Sequence, residues 1–278
     1  MAQPQSAGLS AFILVAKGLT MKLIISPTKK MVVNTDDFDV QEAPIYLEKT
    51  RQVLAVLQNY SDSELKDLWH TSDRLTQINA DQLRHTDLAG PLTPAVMSYS
   101  GIQFQSMAPG ILTEPALKYL QRNLRILSGF YGILKPFDGV VPYRLEMQSH
   151  LQVNGAINLY HFWGDSLYRA LDTQPGEPII NLASKEYAKA ITPFLTPTDQ
   201  WIDIVFGHLV AGKVKTRATL AKMARGEMVR YIAEHQLTKV SDLQSFDSPR
   251  YAYDPHRSTT TKLVFLETDQ AAASKLRR

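Results

Sequence analysis

The chain of 278 residues contains no cysteine, which excludes disulfide scaffolds, cysteine-ligated zinc, iron–sulfur clusters and thiol nucleophiles or redox switches. Glycine-rich nucleotide signatures are missing too, since neither G-x-G-x-x-G nor G-x-x-x-x-G-K-[ST] occurs. The seven histidines form no H-x-H or H-x-x-x-H pair. His85-Thr86-Asp87 has the local spacing of a two-His-one-carboxylate iron site, but no distal histidine completes it, so no metal or other cofactor is expected. The apolar stretch at residues 9–16 (LSAFILVA) is too short to span a bilayer. It has no basic segment before it and no small-x-small site after it, so the reading is neither an anchor nor a signal peptide, with no membrane partner. There is no internal repeat and no low-complexity linker. Net charge is scarce as well: 30 Lys and Arg against 27 Asp and Glu leave +3, a balance that does not by itself announce a nucleic-acid partner.

What is present is a 44% hydrophobic chain, enough to bury a core without staples. Its charges are segregated. Residues 207–230 hold six basic side chains against one acid, and residues 118–144 hold five against one, whereas residues 31–73 carry nine acids and three bases. Basic and acidic regions are therefore expected, although solvated helix faces give the same pattern. Met21 opens MKLIISP, which reads as a natural start feeding a buried strand. The expected organisation is an N-terminal extension over 1–20, one domain over 21–267 and a C-terminal tail over 268–278.

Apolar runs stopped by turn formers predict strands over 22–26, 178–182, 201–210 and 262–266. A helical pattern begins at Pro44 and runs through Leu47, Leu54 and Leu57. Ser61 with Glu64 reads as a capping box for a helix over 64–70. Thr113-Glu114-Pro115 signals another helix start, residues 158–171 are amphipathic, and 216–234 is the longest helix candidate. Strands interleaved with helices argue for α/β (α+β) architecture, a single domain with a mixed sheet flanked by helices.

Three groups of residues carry chemistry. On the longest helix, Lys222 and Arg225 share a face that can lie along phosphates, or simply face solvent. In residues 124–147, Gly129 and Gly132 bracket an aromatic pair beside Arg125 and Lys135. A tight turn there can aim backbone N–H groups outward as a phosphate cradle, loosely like the glycine hairpin between two helices that DNA-repair proteins use; a plain structural turn fits equally. Arg144 and Glu146, two apart, share a face of an extended segment. A structural ion pair is the first reading, an anion clamp or a tuned acid/base carboxylate the others. Ser26 and Lys29 have the spacing of a lysine-activated serine, which needs an oxyanion hole to converge with them.

Five segments together resemble the YaaA family of bacterial peroxide-stress proteins: Ile25-Ser26-Pro27-Thr28-Lys29, LSGFYGILKPFDGVVPYRLEM from Leu127, LYHFWGD from Leu159, INLASKEY from Ile180 and AKMARGEM from Ala221. They stand in the family's order and spacing, from Met21 to about Glu267. The resemblance implies a cytoplasmic protein, induced under hydrogen peroxide stress, that limits free iron and hence oxidative damage to DNA. It also implies a family-specific α/β fold with a basic cleft and a helix-hairpin-helix-like element that binds DNA. The chain departs from the family at Ile102 to Met107 (IQFQSM), where a glycine-rich aromatic strand is usual, at Thr219-Leu220, where an aromatic pair is usual, and at Lys135, where Arg is common.

Two expectations follow. In one, Arg125, Gly129, Gly132, Lys135, Arg144, Lys222 and Arg225 contact DNA. In the other, Ser26, Lys29, Arg144, Glu146, Lys185, Glu186 and Tyr187 converge as candidate catalytic residues on a small anionic or nucleotide-like substrate. A narrow cavity collecting Ser26, Arg144, Glu146 and Lys185 favours the second; an open basic groove favours the first.

Overall fold

Short apolar runs and their turn residues become the strands Lys22–Ile25 (β1), Thr93–Pro94 (β2), Leu124–Ser128 (β3), Gly132–Leu134 (β4), Gly139–Val140 (β5), Pro178–Leu182 (β6), Gln200–Val210 (β7), Lys213–Lys215 (β8), Tyr251–Tyr253 (β9) and Lys262–Glu267 (β10). The computed structural model describes residues 20–268. The expected extension over 1–20 and tail over 268–278 fall outside them, except for their innermost residues. The main sheet runs β4-β3-β1-β6-β7-β10-β9, with β8 added to β7; β2 and β5 pair separately. Strands β3, β1, β6, β7 and β10 are mutually parallel, and β4, β8 and β9 join antiparallel. The mixed sheet flanked by helices is the α/β architecture that the interleaved pattern predicts.

Strand β1 is buried over its whole length, and so is β3. A central parallel strand is covered on both faces, hence the nearly unbroken apolar run. From β1 the chain proceeds to β3 on one side; from β6, on the other side of β1, it proceeds to β7 and β10. Strand order therefore reverses between β1 and β6. In open α/β sheets the crevice beyond the carboxyl ends of strands at such a reversal is where ligands bind.

The helices are Leu47–Gln58 (α1), Asp62–Trp69 (α2), Asp73–Arg84 (α3), Ala95–Ser98 (α4), Ile102–Met107 (α5), Glu114–Asn123 (α6), Leu159–Trp163 (α7), Ser166–Arg169 (α8), Lys185–Ala188 (α9) and Ala218–Glu234 (α10). The capping box forms at α2, where the Ser61 N–H donates to Glu64 Oε2 at 2.7 Å and the Glu64 N–H reaches Ser61 Oγ at 3.4 Å. The amphipathic stretch 158–171 splits into α7 and α8 at Gly164, whose φ of +52° does not continue a helix. Helix α3 is not predicted by the sequence pattern. Its Leu75 and Ile78 face outward while Thr76, Ala80 and Leu83 are buried, so the apolar periodicity misleads. The segment Ile102–Met107 is a helix, not the strand usual in the family reading.

Helix α5 meets α10 with unusual closeness at Gly226, where a Cβ would sit 2.0 Å from the Gln103 carbonyl oxygen and 2.9 Å from the Met107 nitrogen. Only glycine lets the two backbones touch. This contact sets Gln103 of α5 beside Lys222 and Arg225 of α10. Among the described residues no helix is long and apolar enough to cross a membrane.

Candidate functional site

Each parallel strand around the reversal ends near a serine. Ser26 follows β1, Ser128 closes β3 and Ser184 lies two residues past β6. The Ser184 N–H donates to Ser26 Oγ at 2.8 Å, tying the exits of β1 and β6 together. Because that oxygen accepts, the Ser26 hydroxyl keeps its own proton to donate. Ser128 Oγ lies 2.7 Å from the Tyr143 hydroxyl, which is in turn 2.8 Å from that of Tyr99. Burial pushes the Tyr143 phenol up to about 12 and raises Tyr99 well above its ordinary value, so both stay protonated at neutral pH.

A cleft of about 430 Å³ opens over these exits. Its walls are residues 26–30, residues 101–103 at the start of α5, residues 143–146, then Ser184, Glu186, Tyr187 and, from α10, Lys222 and Arg225. Of the candidate catalytic residues, Ser26, Lys29, Arg144, Glu146, Glu186 and Tyr187 come together here. Lys185 does not: it lines an adjoining cavity that shares Glu186. Of the residues expected at DNA, only Arg144, Lys222 and Arg225 reach the cleft.

Its electrostatics are unusual for a folded interior. The Nε atoms of Arg144 and Arg225 are enclosed without an acceptor, and neither guanidinium has a hydrogen bond or ion pair among the described residues. Burial alone pulls the Arg225 guanidinium below its ordinary value, with no carboxylate opposing it. The side-chain amide of Gln103, buried at 4% exposure, also has an unpartnered Nε2. Buried donors without protein partners are costly, and those of Gln103, Arg144 and Arg225 border this one cavity. Sequence reasoning misses Gln103, because its burial arises only when α5 docks on α10.

The carboxylates are arranged differently from expectation. Glu146 pairs with Lys29, an ion pair close to the mouth, and the expected Arg144–Glu146 pair is not made. Arg144 and Glu146 do share the cleft face, as the two-residue spacing requires, but the lysine from the β1 exit takes the carboxylate and leaves the arginine free. That commitment, with Ser26 Oγ engaged by the Ser184 N–H, means the lysine-activated serine does not assemble. Burial raises the Glu186 carboxyl above its ordinary value; the Gln148 N–H, donated to its Oε1 at 3.2 Å, offsets part of this, while nearby Glu146 adds to it. Among the described residues no group of three or more His, Asp or Glu gathers as a metal-ligand set.

The remaining candidates are structural. The Gly129–Gly132 turn joins the antiparallel strands β3 and β4 rather than two helices. Its Phe130 and Tyr131 N–H groups donate inward to Ser128 Oγ at 3.2 and 2.9 Å, so the outward phosphate cradle expected there does not form. A Cβ at Gly129 would come within 2.9 Å of the Leu145 oxygen; glycine is needed so that residues 144–146 can pack against the turn. Gly132 packs as closely on Trp163. Arg125 is 6% exposed and spends Nη1 on the carbonyls of Leu124 and Arg122, at 2.9 and 3.2 Å. Lys135 Nζ pairs with Glu42 at 2.6 Å. Both line a separate cavity of about 220 Å³ with Asp138.

The fold is thus an α/β sheet with a cleft at its strand-order reversal, and the guanidinium groups of Arg144 and Arg225 line that cleft without partners among the described residues. The sequence model of the family described as peroxide stress protein YaaA matches residues 21–257, and the chain belongs to that family. Similar chains include a UPF0246 protein of Lactiplantibacillus plantarum, 58% identical over 246 residues that make up 88% of this chain and 99% of the relative. A UPF0246 protein of Lacticaseibacillus paracasei matches at the same identity and coverage. One from Agathobacter rectalis is 46% identical over 245 residues, 88% of this chain and 98% of its own.

Proposed function

We propose that the chain serves the peroxide-stress response by binding the phosphate of a nucleotide unit in the cleft beyond β1 and β6. The observation that carries this reading is the pair of unpartnered guanidinium groups of Arg144 and Arg225 in one cavity. Each can present a planar fork to an anion, and in a cavity partly shielded from water such charge-assisted bonds gain strength. Lys222 and the Ser26 hydroxyl add donors. So many donors suit a phosphate, with its several acceptor oxygens, better than a single carboxylate. Tyr187, Pro27 and Ile102 supply surface for the rest of the nucleotide.

The nucleotide can be free, as a small ligand or substrate, or part of DNA; the chemistry at the phosphate is shared. Binding to DNA in the cytoplasm, and through it protection against iron-driven damage, is the form of this proposal that the family resemblance implies. Titrating AMP and a short single-stranded DNA oligonucleotide, each over a range of salt, separates the sources. Wild type is expected to bind at least one, and Arg144→Gln with Arg225→Gln to bind neither. Absent binding by wild type, or undiminished binding by the double variant, sinks the reading.

A further inference from the structure

Away from the cleft, the cavity of about 220 Å³ beside β3 and β4 brings together two buried charges of opposite sign that do not meet. Arg125 is 6% exposed and Asp138 is 3% exposed. No ion pair joins them among the described residues, although each feels the other's charge. Arg125 is anchored on one side only: Nη1 donates to the carbonyls of Leu124 and Arg122, while neither Nε nor Nη2 has an acceptor among the described residues. Those two N–H groups form the edge of the guanidinium fork that fits a carboxylate with two parallel bonds. Asp138 mirrors it. Its Oδ2 accepts the Lys135 N–H, and its Oδ1 is enclosed without a donor. Burial, the largest cause for each, pulls the guanidinium below its ordinary value and pushes the carboxyl up to about 7, so the protein answers neither charge in full.

The rest of the lining is aliphatic or already paired. Ile133 and Leu134 of β4 supply the apolar wall, and Ile45 stands 67% exposed at the rim. Glu42 and Lys135, also at the rim, are paired with each other. The volume far exceeds the ~10–15 Å³ that one water needs, so a single bridging water does not fill it. A simple anion answers Arg125 and leaves Asp138 unmet; a simple cation does the reverse and faces the guanidinium. A molecule that carries both charges close together, with a small apolar group, answers both and covers the wall. We propose that this cavity binds a free α-amino acid with an aliphatic side chain. Its carboxylate sits on Arg125 Nε and Nη2, its ammonium group on Asp138 Oδ1, and its side chain against Ile133 and Leu134. None of these residues lines the cleft of Arg144 and Arg225, so the two sites are separate.

The test titrates L-valine, L-leucine and L-isoleucine by calorimetry at pH 8, where the Asp138 carboxyl is ionised. Wild type is expected to bind at least one. The matching carboxylic acid without the amine, and the matching amine without the carboxylate, are expected to bind more weakly by about tenfold or more, one charge-assisted contact being lost in each. Asp138→Asn, with its thermal midpoint measured alongside to show that it folds, is expected to weaken the amino acid by a similar factor. Arg144→Gln with Arg225→Gln is expected to leave it unchanged. No binding of any of the three by wild type overturns the site. Equal binding of the acid without its amine, or undiminished binding by Asp138→Asn, overturns the assignment of the ammonium group; the first comparison is made on wild type and does not depend on the variant's folding. Loss of the amino acid in the double arginine variant puts it in the other cleft and overturns the site as well.

Discussion

Arg225→Met is expected to make the protein more stable and less able to bind, because the wild-type side chain holds a charge where no protein group answers it. The enclosed Nε has no acceptor, and burial alone depresses the guanidinium. An unmade buried hydrogen bond costs about 1–3 kcal/mol. Buried ionic groups replaced by apolar ones of similar volume leave stability unchanged or raise it by about 1–4 kcal/mol. Arg225 lines the cleft and is only partly buried, so the lower end applies, a gain of about 1 kcal/mol. For a domain of this size that raises the melting temperature by about 2–4 °C. Urea denaturation with and without AMP reads both effects. At a concentration of about 100 Kd, a ligand adds about 2.7 kcal/mol to the wild type, and the variant is expected to lose most of that gain. A variant destabilised by more than about 1 kcal/mol and still fully stabilised by AMP refutes the reasoning, since Arg225 would then be a structural residue.

Gly226→Ala tests the helix contact that builds the site. Its Cβ meets backbone on α5, which cannot swing aside, so the loss is expected at or above the usual overpacking cost of about 1–3 kcal/mol, with AMP affinity falling too. A change in denaturation midpoint within error shows that the backbones do not touch. Asp138→Asn tests the small cavity that Asp138 lines with Arg125 and Lys135. Burial, the largest cause, pushes the Asp138 carboxyl up to about 7, although its Oδ2 accepts the Lys135 N–H at 2.9 Å; Oδ1 is enclosed without a partner. Between about pH 4 and 7 the folded state holds a proton that the unfolded state has released, so this residue's contribution falls as pH rises and levels off above 7. The variant removes that slope. It is expected to gain on wild type from pH 5 to pH 8 in denaturation midpoint, and equal gains at both values count against the assignment.

Much of the secondary structure is legible from residues near one another in the chain. The strand PIINL, the long basic helix and the Ser61–Glu64 cap are all where the local pattern puts them, because apolar period, turn formers and caps are local signals. Helix α3 escapes for the same reason in reverse: Leu75 and Ile78 face outward, and nothing nearby in sequence reveals that. The candidate site is half legible. Ser26, Arg144, Glu146, Glu186, Tyr187, Lys222 and Arg225 stand in matched motifs and do converge. Gln103 carries no motif signal, and Lys185 shares a motif with Glu186 yet faces the adjoining cavity.

By itself the sequence determined that this is a cysteine-free α/β chain of one family, with basic charge concentrated in two segments while the whole chain totals only +3 because acid lies elsewhere. Which of those charges are free was decided by tertiary structure alone. Arg125 and Arg225 look alike in the sequence, each a basic residue in a matched or neighbouring motif. One caps backbone carbonyls beside β3, and the other is left open in a cleft. Likewise Glu146 takes Lys29 from the β1 exit and not Arg144 two residues away, and Lys135 takes Glu42 from 93 residues earlier. A charge is paired by whatever the fold brings within reach, and that distance is set by the strand order, not by spacing along the chain.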